Sequence, residues 1–150
     1  MDHQQLLEQY RSSALSFINE AKQISGPALN QSHDGGWSAA FVIHHIADAE
    51  VQFGARYAKA LTDENPPIVP FNEEQFAVGL QYNNRSVDIS LQSLTATFAM
   101  NYEILKNASD ADWKRTSIHP QSGVVTLLDL LQKSANHIES HIAQLKSAAI

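Results

Sequence analysis

The sequence predicts an all-α protein: a four-helix bundle with a long, partly helical connection between its second and third helices. Three observations carry that expectation. Four stretches repeat apolar residues every three or four positions, the spacing that puts them on one side of a helix. No stretch alternates apolar and polar residues well enough to read as a strand. Between the periodic stretches lie clusters of Gly, Pro, Asn and Ser, the residues that end helices.

The first helix carries Leu6, Tyr10, Ala14, Phe17, Ala21 and Ile24 on one stripe and stops at "SGPALN". After the polar loop "NQSHDGG", Ser38 is placed to cap a second helix running to about Leu61, with Trp37 stapled onto its first turn. Its core stripe is Val42, Ile46, Ala49, Phe53, Tyr57 and Ala60. Pro66, Pro67 and Pro70 remove donors and fix φ, so "TDENPPIVPF" cannot continue that helix. Asn72 with Gln75 resembles a capping box that opens a short helix, "EEQFAVG", inside the long connection. The third helix starts near Ser86 and buries Val87, Leu91, Leu94, Phe98, Tyr102 and Leu105. Thr126 and Asp129 form a capping signature, so the fourth helix starts near Leu127 and runs almost to the end.

At 150 residues the chain is expected to be one domain, residues 1–150, around a single core. No apolar run approaches the roughly 20 residues that cross a bilayer, so no membrane partner is expected. The N-terminus has neither a basic leader nor a continuous apolar segment, which points to the cytoplasm. Ten basic residues against sixteen acidic ones give a net charge of −6, and the few cations are scattered. That excludes nucleic acid as the expected partner, because such binding rests on Lys and Arg at the phosphates. There is no cysteine, so any thiol chemistry needs a thiol from outside the chain.

The residues that carry chemistry are histidines. In "SANHIESHIAQL", His137 and His141 lie four residues apart, stacked one turn above the other. The apolar centre of that helix runs along Leu127, Leu131, Ile138, Ile142 and Leu145; His141 falls about 70° to one side of it and His137 about 110° to the same side. On the second helix, His45 sits at the margin of the buried stripe while His44 points the other way. Three imidazoles from two facing helices would give a metal an incomplete coordination sphere, the arrangement catalytic sites need. An i, i+4 His pair by itself is equally compatible with hydrogen-bonded packing. "HIESH" is not the zincin H-E-x-x-H: Glu139 lies two positions after the first His and faces away, as a solvated charge would.

"GGWSAAFVIHHIADAE" followed by "HIESHIAQL" resembles the DinB/YfiT-like superfamily of metal-binding four-helix bundles. The residues carrying the likeness are Trp37, Ser38, His45, His137 and His141. "ALTDENPPIVPFNEEQF" and "HPQSGVVTLLDLL" extend it towards the YfiT-like branch, over about residues 37 to 145. That branch often has further histidines where this chain has Ser140 and Gln144, a departure that touches the surroundings of the ligands. Gln144 remains able to hydrogen-bond a metal-bound water.

The resemblance implies a divalent metal, in relatives commonly zinc or nickel, held by His45, His137 and His141. It implies a small-molecule substrate, and relatives often pair as homodimers. The favoured activity is an S-transferase that holds a low-molecular-weight thiol, of the bacillithiol or mycothiol kind, as the co-substrate attacking a small electrophile. The alternatives are a metal-dependent hydrolase using metal-bound water and a non-catalytic helical binding or dimerisation module. Asp48, one turn after His45, either accepts from the second N–H of that imidazole or faces solvent, the commoner fate of an aspartate. His119 either lines the mouth of the site or is an ordinary exposed loop histidine. Tyr57 and Tyr102 read as core residues with hydroxyls reaching water, and His3, His33 and His44 as solvated.

Overall fold

Each of the four periodic stretches forms a long helix in the computed structural model, which describes residues 2–33 and 35–150. The bundle helices are α1 (His3–Lys22), α3 (Ala39–Thr62), α5 (Val87–Lys106) and α6 (Leu127–Ala148); α2 (Gly26–Leu29) and α4 (Glu73–Gly79) are short helices in the connections. The helix starts follow from local chemistry. Ser38 accepts from Phe41 N and Ser86 from Ile89 N, while Thr126 and Asp129 form a complete reciprocal box. Asn72 accepts from Gln75 N, which is half of the predicted box. A full box that the sequence reading passed over, Asp2 with Gln5, opens α1.

α1 packs on α5 and α6, and α3 also packs on α5 and α6, so α1 and α3 face each other across a diagonal. The helix directions can be read from side-chain pairs. His44 meets Ser90, and further along a Cβ on Gly54 would stand 2.6 Å from Asn101 Oδ1, so α3 and α5 run parallel and close. Glu50 meets Ser134 while His45 lies against His141, so α6 runs antiparallel to α3. Ser13 with Glu139 and Glu20 with Lys146 make α1 and α6 parallel.

This order explains the long connection. α5 starts level with the start of α3, so residues 63–86 travel back along the length of a 24-residue helix, about 36 Å at 1.5 Å per residue. That return path carries Phe71 and Glu73 past His45.

The core contains the predicted stripes, with Leu6, Tyr10, Phe17, Ile46, Tyr57, Leu94, Leu105, Leu131 and Ile138 all essentially inaccessible. Truncating a residue such as Leu131 to Ala costs about 2–5 kcal/mol, from lost transfer energy and the cavity left behind. None of the described helices is long and apolar enough to cross a membrane.

The expectation of no strand is corrected. β1 (Thr116–His119) and β2 (Gly123–Thr126) form an antiparallel hairpin between α5 and α6. Each strand is only four residues long, and the turn depends on Gly123 at φ +78°, so no alternation long enough to detect exists in the sequence. The hairpin also pairs with the long connection: Ile68 N donates to Ile118 O at 2.8 Å and Ile118 N to Pro66 O at 2.9 Å. Arg115 fastens this assembly to the bundle by donating to Ala60 O and Asp63 O at the end of α3.

Candidate metal centre

α3 and α6 bring His45, His137 and His141 together. The Nε2 atoms of His45 and His141 each lie 3.0 Å from Nε2 of His137, and one ligand-type nitrogen from each residue falls within 4.8 Å of the others. Three ligands around one cation at ~2.1 Å stand about 3.0 Å apart at right angles and about 3.4 Å apart in a tetrahedron, so this donor set suits a divalent metal with little movement. Burial holds two of the imidazoles neutral, the form that ligates. It lowers His45 to about 4, helped by the neighbouring His141, and His137 to about 3, helped by His141 and His45.

The surrounding side chains orient these rings. Trp37 packs edge-on against His45 with centroids 5.3 Å apart, so the helix-start tryptophan also walls the cluster. Phe53 lies 6.4 Å from the His137 ring. Gln144 accepts from His141 Nδ1 at 2.5 Å, which fixes the tautomer and leaves Nε2 free for the cluster. Gln144 therefore touches the imidazole directly, where the sequence reading had it reaching a water. His45 Nδ1 is buried without a hydrogen-bond partner among the described residues.

Sequence reasoning missed Glu73. Its Oε2 lies 3.5 Å from His45 Nε2, on the first turn of α4, and the side chain is half exposed. The Asn72 cap was legible, but nothing local shows that the returning connection lays this turn against α3. Beside the cluster opens a cleft of about 530 Å³, whose lining includes His137, Phe53, Phe71 and His119. His119 is thus neither free nor in a loop: it ends β1, lines the cleft, and its Nδ1 accepts from Gln121 N and Ser122 N.

Other expectations are corrected. Asp48 neither faces solvent nor meets His45. It is nearly buried, takes a bidentate bond from Arg85 at 2.6 and 2.8 Å, and accepts from Tyr82 Oη at 2.7 Å. His44 is fully buried, with Nδ1 2.7 Å from Ser90 Oγ and its ring 5.2 Å from Tyr82. A wheel with one buried stripe fails on α3 because this helix is covered by α5 on one side and α6 on the other. His3 is half-buried and stacked on Trp113, while His33 is exposed as predicted. The Tyr57 hydroxyl is buried rather than wet; Tyr102 is half-buried. Glu139 is exposed and away from the cluster, accepting from Ser13 and Gln9.

One buried acid was not foreseen. Glu50 accepts from Tyr10 Oη at 2.5 Å and from Ser134 Oγ at 2.8 Å, and Asn101 Nδ2 donates to its backbone oxygen. Full burial raises its carboxyl above the ordinary range despite these donors.

Fold and site together define a four-helix-bundle protein with three imidazoles converging beside an open cleft. The chain belongs to the DinB superfamily, whose family model matches residues 3–145. A protein of Oceanobacillus iheyensis, provisionally named a metal-dependent hydrolase, is 32% identical over 130 residues, covering 86% of this chain and 75% of that one. A similarly named protein of Bacillus mycoides is 33% identical, covering 75% of this chain and 65% of the relative. Among solved structures, YfiT from Bacillus subtilis, described as a probable metal-dependent hydrolase with an unusual four-helix bundle topology, superposes with a TM-score of 0.88 at 23% identity. That match covers 97% of this chain and 85% of YfiT. The mycothiol-dependent maleylpyruvate isomerase superposes at 0.80 with 14% identity, over 97% of this chain and 61% of its own. At these identities the two structures speak for the fold.

Proposed function

We propose that the protein is a metal-dependent enzyme in which His45, His137 and His141 hold a divalent cation, and that it transfers a low-molecular-weight thiol to a small electrophile. The observation that carries this reading is the convergence of three Nε2 atoms beside an open cleft. A cation held there by three neutral imidazoles would keep its full charge and would supply Lewis acidity to a thiol or a water. The protein contributes the rest. Glu73 Oε2 is placed to take the proton that the nucleophile gives up, and Gln144 keeps His141 in the ligating tautomer. Trp37, Phe53 and Phe71 border the centre with apolar surface and limit water.

A thiol nucleophile has to be external, since the chain contains no cysteine. Hydrolysis is the second reading, supported by the names of the relatives at 32 and 33% identity. The test is elemental analysis of the wild type and of His45→Ala, His137→Ala and His141→Ala, with helicity checked by circular dichroism. The loaded protein is then assayed with 1-chloro-2,4-dinitrobenzene plus small thiols, and with 4-nitrophenyl acetate without thiol. About one metal per chain, lost in each folded variant, together with metal-dependent thiol consumption, supports the transferase. Ester turnover without thiol moves the assignment to the hydrolase. An empty wild type removes both.

A further inference from the structure

The cleft beside the imidazoles is electrostatically unlike the rest of the molecule. The chain carries a net charge of −6, yet no Asp or Glu lines this cleft, while Arg56 and Lys133 do. Neither cation forms an ion pair with a carboxylate among the described residues. Arg56 is also held in place. Its guanidinium lies 5.1 Å from the Phe53 ring centroid and 6.0 Å from that of Phe71, and Nη2 donates to Val69 O at 3.4 Å. Burial lowers it from its usual value, but an arginine so far above neutrality stays charged. Burial, then the nearby Lys133 and Arg56 charges, also push His119 below its usual value.

A half-buried, ring-clamped guanidinium without a counter-ion keeps unsatisfied donors in a fixed fork, the geometry that receives a carboxylate by two parallel bonds. The same rings offer apolar area for the body of a ligand, and Phe53 neighbours both Arg56 and His137. We infer that the cleft binds a substrate with an apolar body and a carboxylate, the carboxylate seated on Arg56 with Lys133 at its outer side and the reacting end directed at the imidazole cluster. The orientation rests on the reading of that cluster as the reacting centre; the carboxylate seat does not. A single guanidinium and one exposed ammonium match a monoanion better than a phosphate dianion, which calls for more donors.

The experiment is calorimetric titration of the metal-loaded protein with 3-phenylpropanoate, its neutral primary amide and phenyl phosphate, with metal content measured on the same samples. The carboxylate is expected to bind at least about tenfold more tightly than the amide. Arg56→Gln is expected to erase that preference without changing metal content, Arg56→Lys to keep part of it, and Lys133→Gln to weaken it about two- to threefold. If Arg56→Gln does not fold, the Arg56→Lys and Lys133→Gln pair decides. Equal binding of acid and amide overturns the inference, as does a preference undiminished in Arg56→Gln or Arg56→Lys, which would put the anion on the metal. Tighter binding of phenyl phosphate overturns the carboxylate class. A metal-free wild type that still shows the Arg56-dependent preference sinks the metal reading and leaves the carboxylate seat standing; a loaded protein without the preference does the reverse.

Discussion

Nε2 of His45 and Nε2 of His137 stand 3.0 Å apart across the interface of α3 and α6, although 92 positions separate them in the chain. A proton on one Nε2 can bridge such a pair, but the single Nε2–H of a neutral His137 cannot point at both neighbouring nitrogens at once. Their convergence with a third makes metal affinity the property to measure first.

Removing any one of the three rings should lower metal affinity by orders of magnitude and leave the helices intact, because the apolar core does not depend on the site. Metal should raise the unfolding temperature of the wild type only. At a free concentration a hundredfold above Kd the gain is about 2.7 kcal/mol, seen as an upward shift in a thermal melt. An equal shift in His137→Ala would refute ligation by this residue.

Gln144→Ala frees His141 Nδ1 from its acceptor. The expected result is a metal affinity weaker by about 10- to 100-fold, read by competition with a chromophoric chelator. Unchanged affinity would mean that Gln144 does not orient the ring.

Glu73→Gln keeps the size of the side chain and removes the proton acceptor beside His45. Metal content should be retained, while the turnover of thiol or ester falls by about 10²-fold. Loss of the metal in this variant would instead make Glu73 a ligand.

Glu50→Gln tests the buried acid. Its carboxyl is raised in the folded protein, so its contribution to stability is full below the unfolded value and is lost as pH rises through the folded one. The glutamine variant lacks that loss. Urea midpoints of variant and wild type, compared from pH 4 to 8, should therefore diverge in favour of the variant as pH increases; a difference independent of pH would contradict the raised value.

Arg85→Gln leaves the nearly buried Asp48 without its bidentate partner. A destabilisation of about 1–3 kcal/mol is expected, reduced because Arg85 is partly exposed to water. Metal content should not change. A loss of metal would restore Asp48 as an influence on His45.

What the sequence determined by itself is what local physics controls. Helical periodicity, proline breaks and capping residues are properties of neighbours in the chain, so the starts at Ser38, Ser86 and Thr126 could be read directly. The wheel also separated His45 from His44 on the correct side of α3, since their angular offset is fixed by the helix. Which faces become buried is decided by what packs on them. α3 is covered from two sides, so His44 and Asp48 lie inside, paired with Ser90 and Arg85 from segments some 40 residues away. Arg56, Phe71 and His119 line one cleft, and Glu73 reaches His45, only because parallel α3 and α5 force the connection back along the bundle, where the hairpin holds it. Such encounters are long-range pairings of side chains, and no local spacing encodes them.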